Sequence, residues 1–190
     1  MTLRNPICTF VGHVDHGKST IIEKIKGIAI TKAEAGRITQ SIKAYSISLD
    51  AIKEVCKGIL DTSKIKVPGL LFIDSPGHKA FTNLRKRGGS LADIAILTID
   101  INEGLKPQTL ESIEILKENK TPFIIALNKI DLINGWHSNS TIPLAKSILS
   151  QLPQVQKLLD DKLYSIVGKL YELGINAERF DKIEDFGKTA

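Results

Sequence analysis

Cysteine is scarce in this chain. Cys8 and Cys56 are the only two in 190 residues. A pair so placed does not make the disulfide framework of a small secreted domain, and a reducing compartment, the cytoplasm, is the expected location. No N-terminal stretch has the form of a signal peptide, and no apolar run approaches the roughly 20 residues needed to cross a bilayer. A membrane role is therefore not expected. Internal repeats and low-complexity tracts are also missing. Charge of one sign is not in large excess: the net charge of +5 permits contact with nucleic acid without demanding it. What is present is ordinary for a globular domain, with 42% hydrophobic and 25% charged residues. The length suits one domain with a real core and is short for two.

The most informative stretch is Gly12-His13-Val14-Asp15-His16-Gly17-Lys18-Ser19, which fits G-x-x-x-x-G-K-[ST]. The apolar Ile7 to Val11 precedes it and reads as a buried strand; Ser19 to Ile25 follows as the opening of a helix. Strand, glycine loop and helix N-terminus form a phosphate cradle, in which backbone N–H groups and the helix dipole favour anions and Lys18 adds a full charge. The phosphate-binding set is Gly12, His13, Val14, Asp15, His16, Gly17, Lys18, Ser19 and Thr20. Ser19 would place its hydroxyl on Mg²⁺.

Three further apolar runs, Leu70–Ile73, Asp93–Asp100 and Pro122–Leu127, are continuous rather than alternating. That pattern predicts strands buried on both faces in a parallel sheet. Pro107 to Asn119 reads as a helix with Leu110, Ile113 and Leu116 on one face, and Pro153 to Leu173 as a longer one stopped by Gly174. The prediction is an α/β, doubly wound, mostly parallel sheet with helices on both faces, of the P-loop nucleotide-binding kind, as a single domain over 1–190 with a helical region over 132–190. Ligands are expected at the C-terminal ends of the strands. Gly27 to Tyr45 is a long polar connection without clear periodicity, of the kind that is usually functional.

The remaining motifs fall in order at strand ends. Asp74-Ser75-Pro76-Gly77-His78 follows the second run. Asp74 can hold Mg²⁺ through a water, and Gly77 lets a backbone N–H approach the terminal phosphate. Asn128-Lys129-Ile130-Asp131 follows the fourth run. The Asp131 carboxylate can accept the N1–H and N2–H₂ donors of guanine together, a pair that adenine lacks. Asn128 can bridge base and phosphate loop, and the Lys129 stem can cover the ring face. Asp15 is unusual, since a carboxylate in a phosphate loop opposes the ligand's charge. A K⁺ or Na⁺ ion shared with the phosphates, or a hydrogen bond to a backbone N–H, would offset it.

The set G-H-V-D-H-G-K-[ST], D-x-P-G-H and N-K-x-D resembles the GTP-binding domain of translational GTPases. Lys32 to Gln40, Phe81 to Gly89 and Asn128 to Trp136 resemble, within that group, the subunit-joining initiation factors of archaea and eukaryotes (type 5B), whose bacterial relatives are the type-two initiation factors. The likeness covers essentially the whole chain. It implies a Mg²⁺-dependent GTPase that binds GTP and GDP and is triggered by the ribosome through large-subunit RNA and proteins. It places switch one at 27–45 and switch two at 74–89. It gives Thr39 two roles, its hydroxyl on Mg²⁺ and its N–H on the γ-phosphate. It makes His78 the residue that orients the attacking water, with Lys18, Thr39 and Gly77 completing the catalytic set. Val14 and Ile38 match the apolar pair that flanks this histidine and limits its access to the phosphate. Arg37 and Lys43 stand where the family typically has glycine; their charges, like those of Arg85-Lys86-Arg87, are candidates for contact with RNA phosphates.

The family's sheet has one more strand, followed by a Ser-Ala-Lys loop whose N–H reads guanine O6. Neither occurs between Asp131 and Ala190. The chain is thus expected to be a truncated, monomeric GTP-binding domain, with initiator tRNA met only through domains outside it. The strand ending at Leu127 would form an open edge unless C-terminal helices cover it. Two other readings fit part of the pattern: a nucleotide-gated binding module with negligible turnover, and the GTP-binding domain of another translational GTPase. An ATPase or small-molecule kinase is disfavoured by N-K-x-D.

Overall fold

The computed structural model describes residues 3–30, 43–56, 65–74, 92–139, 141–183 and 189. Five strands form one sheet: β1 (Ile7–Val11), β2 (Lys43–Ser48), β3 (Gly69–Asp74), β4 (Ile94–Asp100) and β5 (Phe123–Asn128), in the order β2-β3-β1-β4-β5. The pairs β1–β3, β1–β4 and β4–β5 are parallel; β2 alone runs antiparallel, with Lys43 opposite Asp74 and Ser48 opposite Gly69. Five helices accompany the strands among the described residues: α1 (Lys18–Ile30), α2 (Leu49–Val55), α3 (Pro107–Glu118), α4 (Leu144–Leu149) and α5 (Pro153–Glu172).

Side-chain alternation along the central strands builds two cores. Val11, Ala95, Leu97 and Ile99 face one side and pack with Ile113 and Leu116 of α3 and with Val155, Leu159, Ile166 and Leu170 of α5. Cys8, Phe10, Ile94 and Ile96 face the other side with Ile22 of α1, Ile47 of β2 and Ala51 of α2. Continuous apolar strands with helices on both faces are what the sequence predicts. Burial raises the Cys8 thiol pKa to about 11, with a smaller push from Asp93, so it stays protonated at neutral pH.

Several sequence expectations need adjustment. The helix α1 runs on to Ile30 and β2 opens at Lys43, so the 27–45 connection is shorter than its polar composition suggests. Only 31–42 of it lies outside the described residues. Lys43 lies in extended strand backbone, so the freedom of glycine is not needed there. On α3 the buried side chains are Thr109, Ile113 and Leu116, while Leu110 points outward at 37% exposure. Ile113 and Leu116 are buried as expected, and Thr109 takes the place expected of Leu110, one position earlier in the first turn.

Both long helices stop in the same way. After α5, Gly174 adopts φ +73°, and the N–H groups of Gly174 and Ile175 donate to Tyr171 and Leu170 carbonyls. After α3, Lys120 takes the equivalent left-handed place at φ +51°, with the N–H groups of Lys120 and Thr121 donating to Lys117 and Leu116. A side chain is strained in that conformation and glycine is not. Lys120→Gly should therefore raise stability by about 0.5–1 kcal/mol, read as a higher midpoint in urea.

The first strand is tied to the fourth by a fork: Arg4 donates twice to Asp93, at 2.6 Å each, and the Ile7 N–H donates to the same carboxylate at 2.7 Å. The Arg4 hydrogen bond, then that of Ile7, lower the Asp93 pKa to about 2. Because that carboxyl is more acidic folded than unfolded, its contribution is complete above about pH 4 and disappears as pH falls toward 2. Acid titration of Asp93→Asn should be flatter across that interval than that of the parent.

At the far margin, β5 has no further strand beside it among the described residues. Ile124 is 45% exposed there. The outer side of β5 lines an apolar groove of about 360 Å³ with Leu144, Leu163, Ile166 and Phe180. The helices border this margin without closing it.

Candidate nucleotide-binding site

The phosphate loop leaves the end of β1 at Val11 and turns back into α1 at Lys18. Its path requires glycine at two points. Gly12 has φ +129°, and a Cβ there would lie 2.3 Å from the Thr98 carbonyl oxygen of β4. Gly17 has φ +88°, and its Cβ would lie 2.0 Å from Asn128 Nδ2. Asp15, at φ +64°, supplies the left-handed residue between them. The Lys18 ammonium turns inward and donates to the carbonyls of Gly12, at 2.9 Å, and His13. It therefore lies along the loop, where phosphate oxygens would meet it. Val14, Asp15, Ser19 and Thr20 are exposed at the mouth of the cradle.

The base-side motif is bonded directly to this loop. Asn128, at the end of β5, donates its Nδ2 hydrogen to the His16 carbonyl at 2.9 Å. Lys129 is left-handed, at φ +61°, which directs the chain into the short 3-10 turn Ile130–Leu132 carrying the exposed Asp131. The two motifs lie 112 positions apart in sequence and meet through one side-chain amide. The sequence predicts that bridge.

Other residues of the site are not evident from motif reading. Asp100, at the end of β4, is 3% exposed and pairs with Lys129 at 2.9 Å. Burial pushes its pKa up, but the hydrogen bonds from Lys129 and the Asn102 N–H more than offset this and hold it low. Lys129 is raised in turn, first by Asp100 and in small part by Asp15. Asn102 Nδ2 donates to the Lys129 carbonyl at 3.1 Å, fixing the base-side turn. The segment Asp93–Asp100 reads as a strand, and nothing in its composition marks that its last carboxylate serves the neighbouring loop.

His16 is 1% exposed, stacked edge-on against His13 with ring centroids 5.0 Å apart. Neither of its ring nitrogens has a hydrogen-bond partner among the described residues. Burial lowers its pKa, against smaller effects of the nearby Thr98 backbone, Asp100 and Glu103, so it is neutral at neutral pH. It packs the loop from behind.

The strand β3 pairs with β1 and ends at Asp74, the first residue of the D-x-P-G-H motif. Gly77 and His78, like Ile38, Thr39 and Arg85-Lys86-Arg87, lie outside the described residues.

The profile of the elongation factor Tu GTP-binding domain matches residues 3–180. The chain belongs to that GTP-binding domain family. Among curated proteins it is similar to the probable translation initiation factor IF-2 of Methanopyrus kandleri, 51% identical over 189 residues. It is also similar to that of Archaeoglobus fulgidus, 53% identical over 187 residues. These alignments cover 98% of this chain but 32% and 31% of the relatives, so the chain spans about a third of their length. Among solved structures it is similar to the crystal structure of GDP-bound aIF5B from Aeropyrum pernix, at TM-score 0.86 and 50% identity, covering 98% of this chain and 32% of that one. The α/β, mostly parallel sheet is therefore that of this family's GTP-binding domain. No helix among the described residues is long and apolar enough to cross a membrane.

Proposed function

We propose that this GTP-binding domain is the hydrolytic switch of a translation initiation factor: it binds GTP and GDP, hydrolyses GTP when docked on the large ribosomal subunit, and so times the joining of subunits. The single observation that carries the nucleotide assignment is the Asn128–His16 hydrogen bond. It fixes the distance between a phosphate cradle and a carboxylate suited to guanine, so one ligand spans both. The names of the similar initiation factors support the assignment to initiation.

The donor set suits a magnesium ion. Ser19 offers an exposed hydroxyl in the first turn of α1, and β3 delivers Asp74 next to the cradle; hydroxyl, carboxylate and water oxygens are what Mg²⁺ takes. Ser19 and Thr39 would hold it directly and Asp74 through water. When bound, the ion neutralises charge on the phosphate oxygens. Asp15, exposed at the mouth, is the position for a K⁺ or Na⁺ ion.

Hydrolysis then needs little covalent help from the protein. Lys18 and the loop N–H groups hold the phosphates, and Gly77 lets a backbone N–H reach the γ-phosphate. His78 orients a water in line; the water oxygen bonds to the γ-phosphorus as the bond from phosphorus to the β–γ bridging oxygen breaks, GDP leaves with that oxygen, and the water's proton passes to a phosphate oxygen. Loss of phosphate removes what anchors Thr39 and Gly77, which gives the switch its two states.

His78→Ala should keep GTP and GDP affinity within about twofold and lose the ribosome-stimulated rate by about a hundredfold or more. Single-turnover hydrolysis with and without ribosomes measures this. Normal stimulated turnover in the variant, or none in the parent, overturns the hydrolytic reading.

A further inference from the structure

The phosphate loop is held from outside at a second place. The Val14 N–H donates to Gln108 Oε1 at 3.2 Å, a contact between residues 94 positions apart. A backbone N–H can only donate, so the amide oxygen of Gln108 must face it. Gln108 follows Pro107 in the first turn of α3, and its place is rigid. Thr109 beside it is fully buried, Lys106 pairs with Glu103 at 3.2 Å, and the Gly104 N–H donates to Asp100 at 2.8 Å. Glu103 also faces His16 at 3.7 Å. The β4–α3 connection therefore touches the loop on both sides of Asp15, at Val14 and at His16. Val14 itself is 56% exposed, with its side chain free of the core. Its position is set by its backbone, and its backbone is held by Gln108.

We propose that Gln108 is a positioning residue for hydrolysis: by holding the Val14 N–H it fixes where the Val14 side chain stands beside the γ-phosphate. The inference rests on the reading above, in which Val14 and Ile38 restrict the approach of His78. With the tether in place, the Val14 methyl groups stand in one position and basal hydrolysis is slow. Without it, the Val14 backbone loses the bond that holds it and the barrier to His78 weakens. The phosphate contacts of Lys18 and the N–H groups of α1 do not depend on this bond, so nucleotide affinity should be spared.

The test compares Gln108→Met, which keeps length and loses the amide acceptor, with Gln108→Glu, which keeps an acceptor oxygen. Both are made in this chain, alone and with Val14→Ala. GDP affinity and ribosome-free GTP turnover are measured together. Gln108→Met should raise basal kcat about threefold to tenfold, the scale of one hydrogen bond's net contribution, with KM and GDP affinity within about twofold. Gln108→Glu should return kcat to near the parent. In the Val14→Ala background Gln108→Met should add nothing. Unchanged kcat in Gln108→Met overturns the proposal, as does a fall in kcat alongside GDP affinity, or full additivity with Val14→Ala. Failure of the parent chain to bind GDP removes the nucleotide reading and this inference with it. A parent that binds GDP normally while Gln108→Met has no effect removes the tether alone.

Discussion

Replacing Asp131 by Asn should abolish the preference for guanine. A carboxylate presents two acceptors, matched to the N1–H and N2–H₂ donors of the base; the amide presents one acceptor and one donor, and the donor would meet the N2 hydrogens head-on. Polar sites of this kind discriminate by about 10⁴–10⁵, since the wrong ligand leaves buried groups unpaired. The parent should therefore bind GDP at least about 10⁴-fold more tightly than ADP, and Asp131→Asn should lose most of that margin. The same exchange suits xanthine, whose C2 carbonyl accepts where guanine donates, so the variant should gain affinity for xanthosine diphosphate as it loses GDP. Competition among GDP, ADP and xanthosine diphosphate measures all three. Asp131 is exposed on the 3-10 turn, so the fold should survive its replacement. Equal GDP binding by parent and variant would remove Asp131 from the base-reading role.

The second large effect should come from a single methyl group. Gly17→Ala forces a side chain into φ +88° and sets its Cβ 2.0 Å from Asn128 Nδ2. The loop must then distort or Asn128 must withdraw, and withdrawal breaks the bond to the His16 carbonyl. Left-handed strain of about 1–3 kcal/mol plus a lost part-buried hydrogen bond of about 1–3 kcal/mol corresponds to a fall in GDP affinity of about thirtyfold to about 10⁴-fold. Asn128→Ala loses the bridge without the strain and should fall by about tenfold. Calorimetric titration with GDP separates the two, and nucleotide-free thermal unfolding controls for the scaffold. Gly17→Ala binding like the parent would mean that the cradle tolerates the methyl and that the bridge is dispensable.

The motifs made the nucleotide site legible because phosphate and guanine each impose a chemistry that few residue types meet. The order Gly12–Ser19, Asp74–His78, Asn128–Asp131 required those segments to sit at strand ends, and the sheet puts the ends of β1, β3 and β5 where that demands. The strands β1, β3 and β4 were legible for another reason: burial on both faces leaves a continuous apolar run. β5 shows the same run without that burial, for it is an edge strand with Ile124 exposed. The edge strand β2 was not. Lys43–Ser48 is short and half polar, as an edge strand can be, because one face and one margin meet solvent. The helix α2, at seven residues, is too brief to show a period; what marks it is the Ser48 hydroxyl accepting from the Ala51 N–H. Asp100, Asn102 and Gln108 escaped for a deeper reason. Each serves a partner far along the chain, and their residue types are common at strand ends and helix starts. Only the folded arrangement tells a polar turn from a tether.

The two-sided burial of β4 has one more consequence. Ala95, Leu97, Thr98 and Ile99 have no exposed surface at all. Amide protons along β1 and β4 should exchange with solvent only when the whole domain opens, while those in the loops at the strand tips exchange through small local fluctuations. Ligand arrival and departure are thereby confined to the rim of the molecule. The middle of the sheet acts as an anvil, letting the rim be reworked many times over without the fold being put at risk.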